Sequence, residues 1–278
     1  GTGMTGVVNK FHRFLGIKVP ENLKDFIAIP IEKKPVVFIS HMEHHSNQTS
    51  WLETIADVEV IPSTEDGLFS LENLKVLLEK YKERTLKIAS ITSCSNVTGI
   101  RTPYHEAAKM MHQHNGVCFV DFACSGPYVS IDMHPEDEEA YLDAIFFLPH
   151  KFLGGPGTSG VLVFNKKLYN NMVPDCPGGG TVSWTNPWGE HKYIDNIEDR
   201  EDGGTPGFLQ VIKTALAIQL KDEMGIDNIL KREHEIVEYV FDSLQNVPNI
   251  KILAGQHQER LGVISFFIDD LHFNLGVK

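Results

Sequence analysis

Lys151 follows the apolar run AIFFLPH and precedes the glycine-rich stretch FLGGPGTSG. A primary amine held at a strand end among polar neighbours can act as a nucleophile toward a carbonyl group. Three further groups sit at comparable places: Asp121 closes VCFVD, Asn96 follows LKIASITSCS, and His44 and His45 follow VVFISHM with Glu43. Taken singly, each has an ordinary reading as helix cap, turn residue, satisfied polar group or solvated lysine. Four at successive strand ends do not, because an open parallel sheet binds its ligands in the crevice outside the carboxyl ends of its strands.

An amine, a carboxylate, a flat imidazole and a glycine-rich turn suit pyridoxal phosphate. The amine condenses with the aldehyde as a Schiff base, and the carboxylate pairs with the protonated ring nitrogen. The imidazole can lie against the ring face. Backbone N–H groups at a helix start, here 3–6 with Thr5, suit the phosphate.

The elements that must position these groups alternate along the chain. Apolar runs predict strands at 36–41, 58–62, 86–92, 117–121, 144–149 and 160–164, and leucine and alanine spacing predicts helices over 70–84 and 104–115. This alternation predicts an α/β fold with a mainly parallel sheet between helices. After GGTPG at 203–207, helices over 208–224 and 226–244 lead to strands at 250–253 and 261–268. The expected organisation is a large domain over 1–225 and the start of a smaller α+β domain over 226–278. Both ends read as cut, so a piece of a longer protein is expected, with a helix starting near the C-terminus.

Bulk properties narrow the partners. The 278 residues carry a formal net charge of −12 with no basic stripe, which argues against nucleic acid and anionic membranes. No apolar run approaches a membrane span of about 20 residues. Cys94, Cys118, Cys124 and Cys176 have no paired spacing and read as reduced thiols of a cytoplasmic protein.

With these motifs in hand, MEHHSN, SNVTG, VDFA, HKFLGGPGTSG and GGTPG, the sequence resembles the class-V branch of fold-type I pyridoxal-phosphate enzymes over nearly its whole length. Cysteine desulfurases and selenocysteine lyases resemble it most. The resemblance implies a seven-stranded sheet, a Schiff base on Lys151, Asp121 on the pyridinium, His44 stacked on the ring and Asn96 on the phenolic oxygen. It further implies phosphate contacts from Thr5 and His150, joined by Thr205 of the other subunit in a homodimer. A small amino-acid substrate and a sulfur-acceptor protein would follow.

Two positions depart from the pattern: Cys124 stands where relatives carry glutamine, and Leu148 where they carry a phosphate-binding serine. The cysteine nucleophile of the desulfurases lies beyond Lys278, and none of the four thiols matches it. Cys124 reads as a small residue packed near the ring rather than as a nucleophile. An aminotransferase or another lyase is the alternative chemistry. A metal-dependent hydrolase using His41, Glu43, His44 and His45 is a different class, opposed by the opposite directions of neighbouring side chains on an extended segment. A non-catalytic relative that kept only the fold is opposed by the intact Lys151 and Asp121 pair.

Overall fold

The computed structural model describes residues 3–269. Six strands form the central sheet: β1 (Val36–Ser40), β2 (Asp57–Ile61), β3 (Lys87–Thr92), β4 (Val117–Asp121), β5 (Ala144–Phe147) and β6 (Val161–Phe164), in spatial order β2-β1-β3-β4-β5-β6. The first five run parallel and β6 is antiparallel to β5. The resemblance implied seven strands; six pair among the described residues.

Side chains alternate between the two faces of each strand, and here both faces are buried. Val36 and Phe38 join one core with Leu74, Leu78, Ala107, Ala108, Met111 and Val120. Val37 and Ile39 join the other with Phe11, Trp51, Phe119 and Phe146. Helices α1 (Gly3–Phe14) and α2 (His45–Leu52) cover the second face, and α3 (Leu71–Lys80) and α4 (Tyr104–Gln113) cover the first. The chain passes from β1 through α2 to β2 and returns through α3 to β3 on the other side of β1. The sheet therefore changes its direction of growth between β1 and β3, where a crevice opens at the carboxyl ends.

The glycine-rich start corrects one expectation. The helix start expected over 3–6 is there, but without a preceding turn among the described residues: α1 is helical from Gly3, because Met4, Val8, Phe11 and Phe14 form one buried stripe. Its first turn lies against the strand loop at Gly160, where a β-carbon would sit 2.7 Å from the Gly3 carbonyl.

Ser70 is the N-cap of α3, its hydroxyl accepting the Asn73 N–H at 3.1 Å, and α3 stops at Lys80 rather than at 84. A hairpin of β7 (Val182–Thr185) and β8 (His191–Tyr193) leaves Trp184 and Trp188 exposed. A short helix α5 (Ile197–Glu201) follows, then α6 (Phe208–Met224) and α7 (Ile226–Leu244). The strand expected over 261–268 narrows to β10 (Phe266–Ile268), antiparallel to β9 (Ile250–Ile252). Leu261 packs into the large core, and its N–H donates to the Gly99 carbonyl at 2.9 Å. The helix start expected near the C-terminus lies outside the described residues.

Candidate active site

A cavity of about 270 Å³ opens at the carboxyl ends of β1, β3, β4 and β5. Thr5, His44, Asn96, Asp121, His150 and Lys151 all line it, together with Ser46, Thr92, Cys124 and Leu148. Thr205 does not; it is exposed on the loop before α6.

Lys151 closes a short 3-10 turn, Pro149–Lys151, that takes over where β5 ends. Pro149 cannot donate to the ladder, and the Lys151 N–H turns back to the Leu148 carbonyl at 3.0 Å. The buried Phe152 packs on Phe147, with ring centres 6.1 Å apart, which anchors the turn and leaves the lysine exposed.

Asp121 is the last residue of β4 and is 2% exposed. Its Oδ1 accepts the Ala123 N–H at 2.7 Å. Burial raises its pKa to about 6, against the opposing pull of that N–H and of the Lys151 ammonium. Without both, a carboxyl so deep would rise further.

His44 caps α2, its Nδ1 accepting the Ser46 N–H at 3.2 Å, so the neutral ring carries its proton on Nε2. Partial desolvation, then the Lys151 and His45 charges, lower its pKa and keep it neutral. Ser46 also meets Thr5 at 2.9 Å between hydroxyl oxygens, joining the first turn of α1 to that of α2. Asn96 follows a turn built on Ser95, whose hydroxyl accepts the N–H groups of Val97 and Thr98, both at 3.2 Å.

The residue whose part sequence reasoning missed is Glu43, read there only as a candidate metal ligand. Its Oε1 accepts the Ser40 hydroxyl at 2.5 Å, the Thr92 N–H at 2.9 Å and the Ser40 N–H at 3.3 Å. Its Oε2 accepts the Asn47 amide at 2.6 Å. This carboxylate fastens β1, β3 and α2 at the point from which His44 projects. Burial lifts its pKa to about 7, opposed by bonds to Ser40, Asn47 and Thr92 and reinforced by the charge of Asp121. The only available signal was its position directly before His44, with Ser40 three residues back and Asn47 four ahead.

The metal reading fails on geometry. Glu43 is turned inward, His41 Nε2 bonds the Gly67 carbonyl at 3.0 Å and His44 bonds Ser46. Among the described residues no three such side chains converge on one point.

The donor set fits pyridoxal phosphate: an exposed primary amine, a buried carboxyl, a neutral imidazole, and a hydroxyl on the first turn of a helix. Gly3 opens that turn with a φ of +64°, a backbone conformation that favours glycine, and lies beside Leu148 and His150.

An open, mainly parallel sheet with such a set at its carboxyl edge is the arrangement of fold-type I pyridoxal-phosphate enzymes, and solved structures share this fold. A cysteine desulfurase from Thermococcus onnurineus superposes with a TM-score of 0.77 at 21% identity, covering 97% of this chain and 63% of that one. An alanine–glyoxylate aminotransferase from Nostoc superposes with a TM-score of 0.59 at 19% identity, over 84% of this chain and 59% of that one.

The chain belongs to the class-V aminotransferase family, which it matches over residues 19–277. A probable cysteine desulfurase of Halalkalibacterium halodurans is 31% identical over 244 residues, 85% of this chain and 56% of the relative. One from Staphylococcus aureus is 30% identical over 246 residues, 87% of this chain and 57% of the relative. The chain thus spans a little over half the length of these relatives.

Proposed function

We propose that this chain is the cofactor-holding part of a pyridoxal-phosphate enzyme that cleaves the C–S or C–Se bond of a small amino acid, as a cysteine desulfurase or selenocysteine lyase does. The carrying observation is that six side chains chosen from the sequence line one cavity, in a chain similar to probable cysteine desulfurases. When bound, the cofactor supplies an electron sink for the bonds at the substrate α-carbon.

Lys151 supplies the amine that holds the cofactor and moves a proton at its Nζ. Asp121 places a buried negative charge against the ring nitrogen. His44, neutral and fixed by Ser46, presents a flat face to the ring. Asn96 reaches the phenolic oxygen, and Thr5 and His150 hold the phosphate. Thr205 completes the phosphate site of a partner subunit. A homodimer is supported by the apolar surface that α6 leaves exposed at Phe208, Leu209, Val211, Ile212 and Leu216, directly after Thr205.

Four free thiols suit a cytoplasmic setting, and no described helix is long and apolar enough to cross a membrane. Transfer of an amino group to a keto acid is the second reading. It is favoured by the engagement of Cys124, the one described thiol at the cavity, whose Sγ lies 3.8 Å from the Ser95 carbonyl. A sulfur-removing thiolate must be mobile, exposed and at the substrate. Cys94, Cys118 and Cys124 are buried or half-buried and the exposed Cys176 lies outside the cavity, so residues 1–278 alone release no sulfide from cysteine, whereas a longer parent with a sulfur-acceptor protein would.

The test is incubation with pyridoxal phosphate, borohydride reduction and peptide mapping. The pyridoxyl mass should fall on Lys151 and vanish in Lys151→Ala. Its appearance on another lysine would overturn the assignment.

A further inference from the structure

Two thiols have no part in the chemistry above: Cys124 at the wall of the cavity and Cys94 in the core behind it. Cys94 lies two residues past the end of β3 and Cys124 three past the end of β4, strands paired one-to-one at Thr92 and Asp121. The connections that follow run side by side. The Ser93 and Ser125 hydroxyl oxygens meet at 2.5 Å, and the Ser93 N–H donates to the Asp121 carbonyl at 2.9 Å. The two thiols sit one residue further along on the first connection and one back on the second. Both also point at one acceptor, the Ser95 carbonyl, at 3.6 Å from Cys94 and 3.8 Å from Cys124.

Their surroundings differ. Cys94 is fully enclosed in the core, whereas Cys124 is half-buried and lines the cavity. A hydrogen bond from Cys94 and the nearby Lys151 ammonium lower the Cys124 pKa against its burial. The same hydrogen bond, together with burial, pushes Cys94 far up. One thiol is therefore the accessible, more acidic member, and the other is a reserve held against it. That is the division of labour of an attacking and a resolving cysteine.

We propose that Cys94 and Cys124 form a redox-active dithiol that closes to a disulfide when a peroxide enters the cavity. The Cys124 thiolate attacks a peroxide oxygen and breaks the O–O bond, becoming a sulfenic acid as the other oxygen leaves as hydroxide and takes a proton to form water. The Cys94 sulfur then attacks the Cys124 sulfur, expelling the sulfenic oxygen, which leaves as a second water with the Cys94 proton. Two thiols lose two electrons in all, and one peroxide gains them. Closure needs the sulfurs to leave their shared contact with the Ser95 carbonyl and approach to about 2.05 Å. The connections are already held together by Ser93 and Ser125, so the change is confined to side chains and the adjoining backbone. The step requires no bound cofactor.

The exposed Cys176 would react independently, so the test uses the chain carrying Cys176→Ser. After a small excess of hydrogen peroxide, intact mass should fall by about 2 Da. Digestion should give a cross-linked peptide pair containing Cys94 and Cys124, and dithiothreitol should restore the original mass. Adding Cys94→Ser removes the resolving thiol. The product should then change from that loss to a gain of about 16 or 32 Da on Cys124, the sulfenic and sulfinic acids. A gain on Cys124 while Cys94 is still present, a link to Cys118, or no reaction at peroxide levels that oxidise free cysteine would each overturn the proposal.

Discussion

His12 offers a direct test of what burial does to a titratable group in this fold. It lies on α1, fully buried, its ring centre 4.0 Å from that of Trp51, and neither ring nitrogen has a hydrogen-bond partner. Desolvation, with the Lys18 and Arg13 charges adding to it, lowers its pKa from 6.5 to about 3. The unfolded chain therefore takes up a proton below pH 6.5 that the native chain refuses until about pH 3. Neutral His12 contributes stability that is fully present above pH 6.5 and is lost as pH falls through that window. At about 1.4 kcal/mol for each tenfold in proton affinity, the whole loss is about 5 kcal/mol, and about 2 kcal/mol of it has occurred by pH 5.

His12→Leu removes the titration and keeps a similar volume. At pH 7.5 the variant should be at least as stable as the wild type, because an unpartnered buried polar group costs about 1–3 kcal/mol. Urea denaturation at pH 7.5 and pH 5.0 reads the difference, with equal slopes required of both proteins. The variant's advantage should grow by about 2 kcal/mol on acidification. Taking the difference cancels the contributions of Glu43 and Asp121, whose raised pKa values act in the opposite direction. A constant gap between the two pH values would refute the reasoning, since it would mean that His12 charges equally well folded and unfolded.

Three shorter predictions concern the site and its frame. Asp121→Asn keeps an acceptor for the Ala123 N–H and should still take up pyridoxal phosphate, read by visible absorbance. Turnover by the longer parent should fall by about 100-fold or more, the scale of removing one preorganised electrostatic partner; an unchanged rate constant removes Asp121 from its role. Glu43→Gln tests the buried carboxyl: wild-type Glu43 stabilises fully below its unfolded value of 4.5 and loses that contribution as pH rises through about 7. The stability gap should therefore move in the variant's favour from pH 5 to pH 8, and a gap that moves the other way contradicts the assigned shift. Lys221 donates to the Gly126 and Val129 carbonyls at 2.7 and 2.6 Å, so Lys221→Met should cost about 1–3 kcal/mol in chemical denaturation; no loss would mean that these bonds do not hold the loop after Cys124.

Strand ends were legible because a buried parallel strand is a bare apolar run, and a polar residue terminating it stands out. Asp121 and Lys151 are of this kind, and the structure brings them to one cavity with His44, Asn96, Thr5 and His150. The extent of helix α1 was not legible beyond its start, since glycines at 1, 3 and 6 mask the stripe of Met4, Val8 and Phe11 that only the sheet beneath makes decisive. The β7–β8 hairpin escaped because its residues are largely exposed and bear no alternation to read. Glu43 escaped for a third reason: its partners come from β1, β3 and α2, and no local pattern records that they meet. His12 carried no signal in the sequence, because its depth is a property of Trp51 and the sheet rather than of its neighbours in sequence.

The placement of α1 has a consequence for how the chain is made. Phe11 packs on Phe119, Phe146 and Phe164, with ring centres 4.8, 5.7 and 5.6 Å away, so the partners of this early helix are synthesised last among the sheet strands. At about 5–20 residues per second, a ribosome needs roughly 8 to 30 s to travel from the first of these rings to the last. During that interval the apolar stripe of α1 has only part of its sheet to cover it and is a natural client for a chaperone. Thr5 rides on the same helix, so the corner of the cavity that it lines is completed only as the later strands emerge.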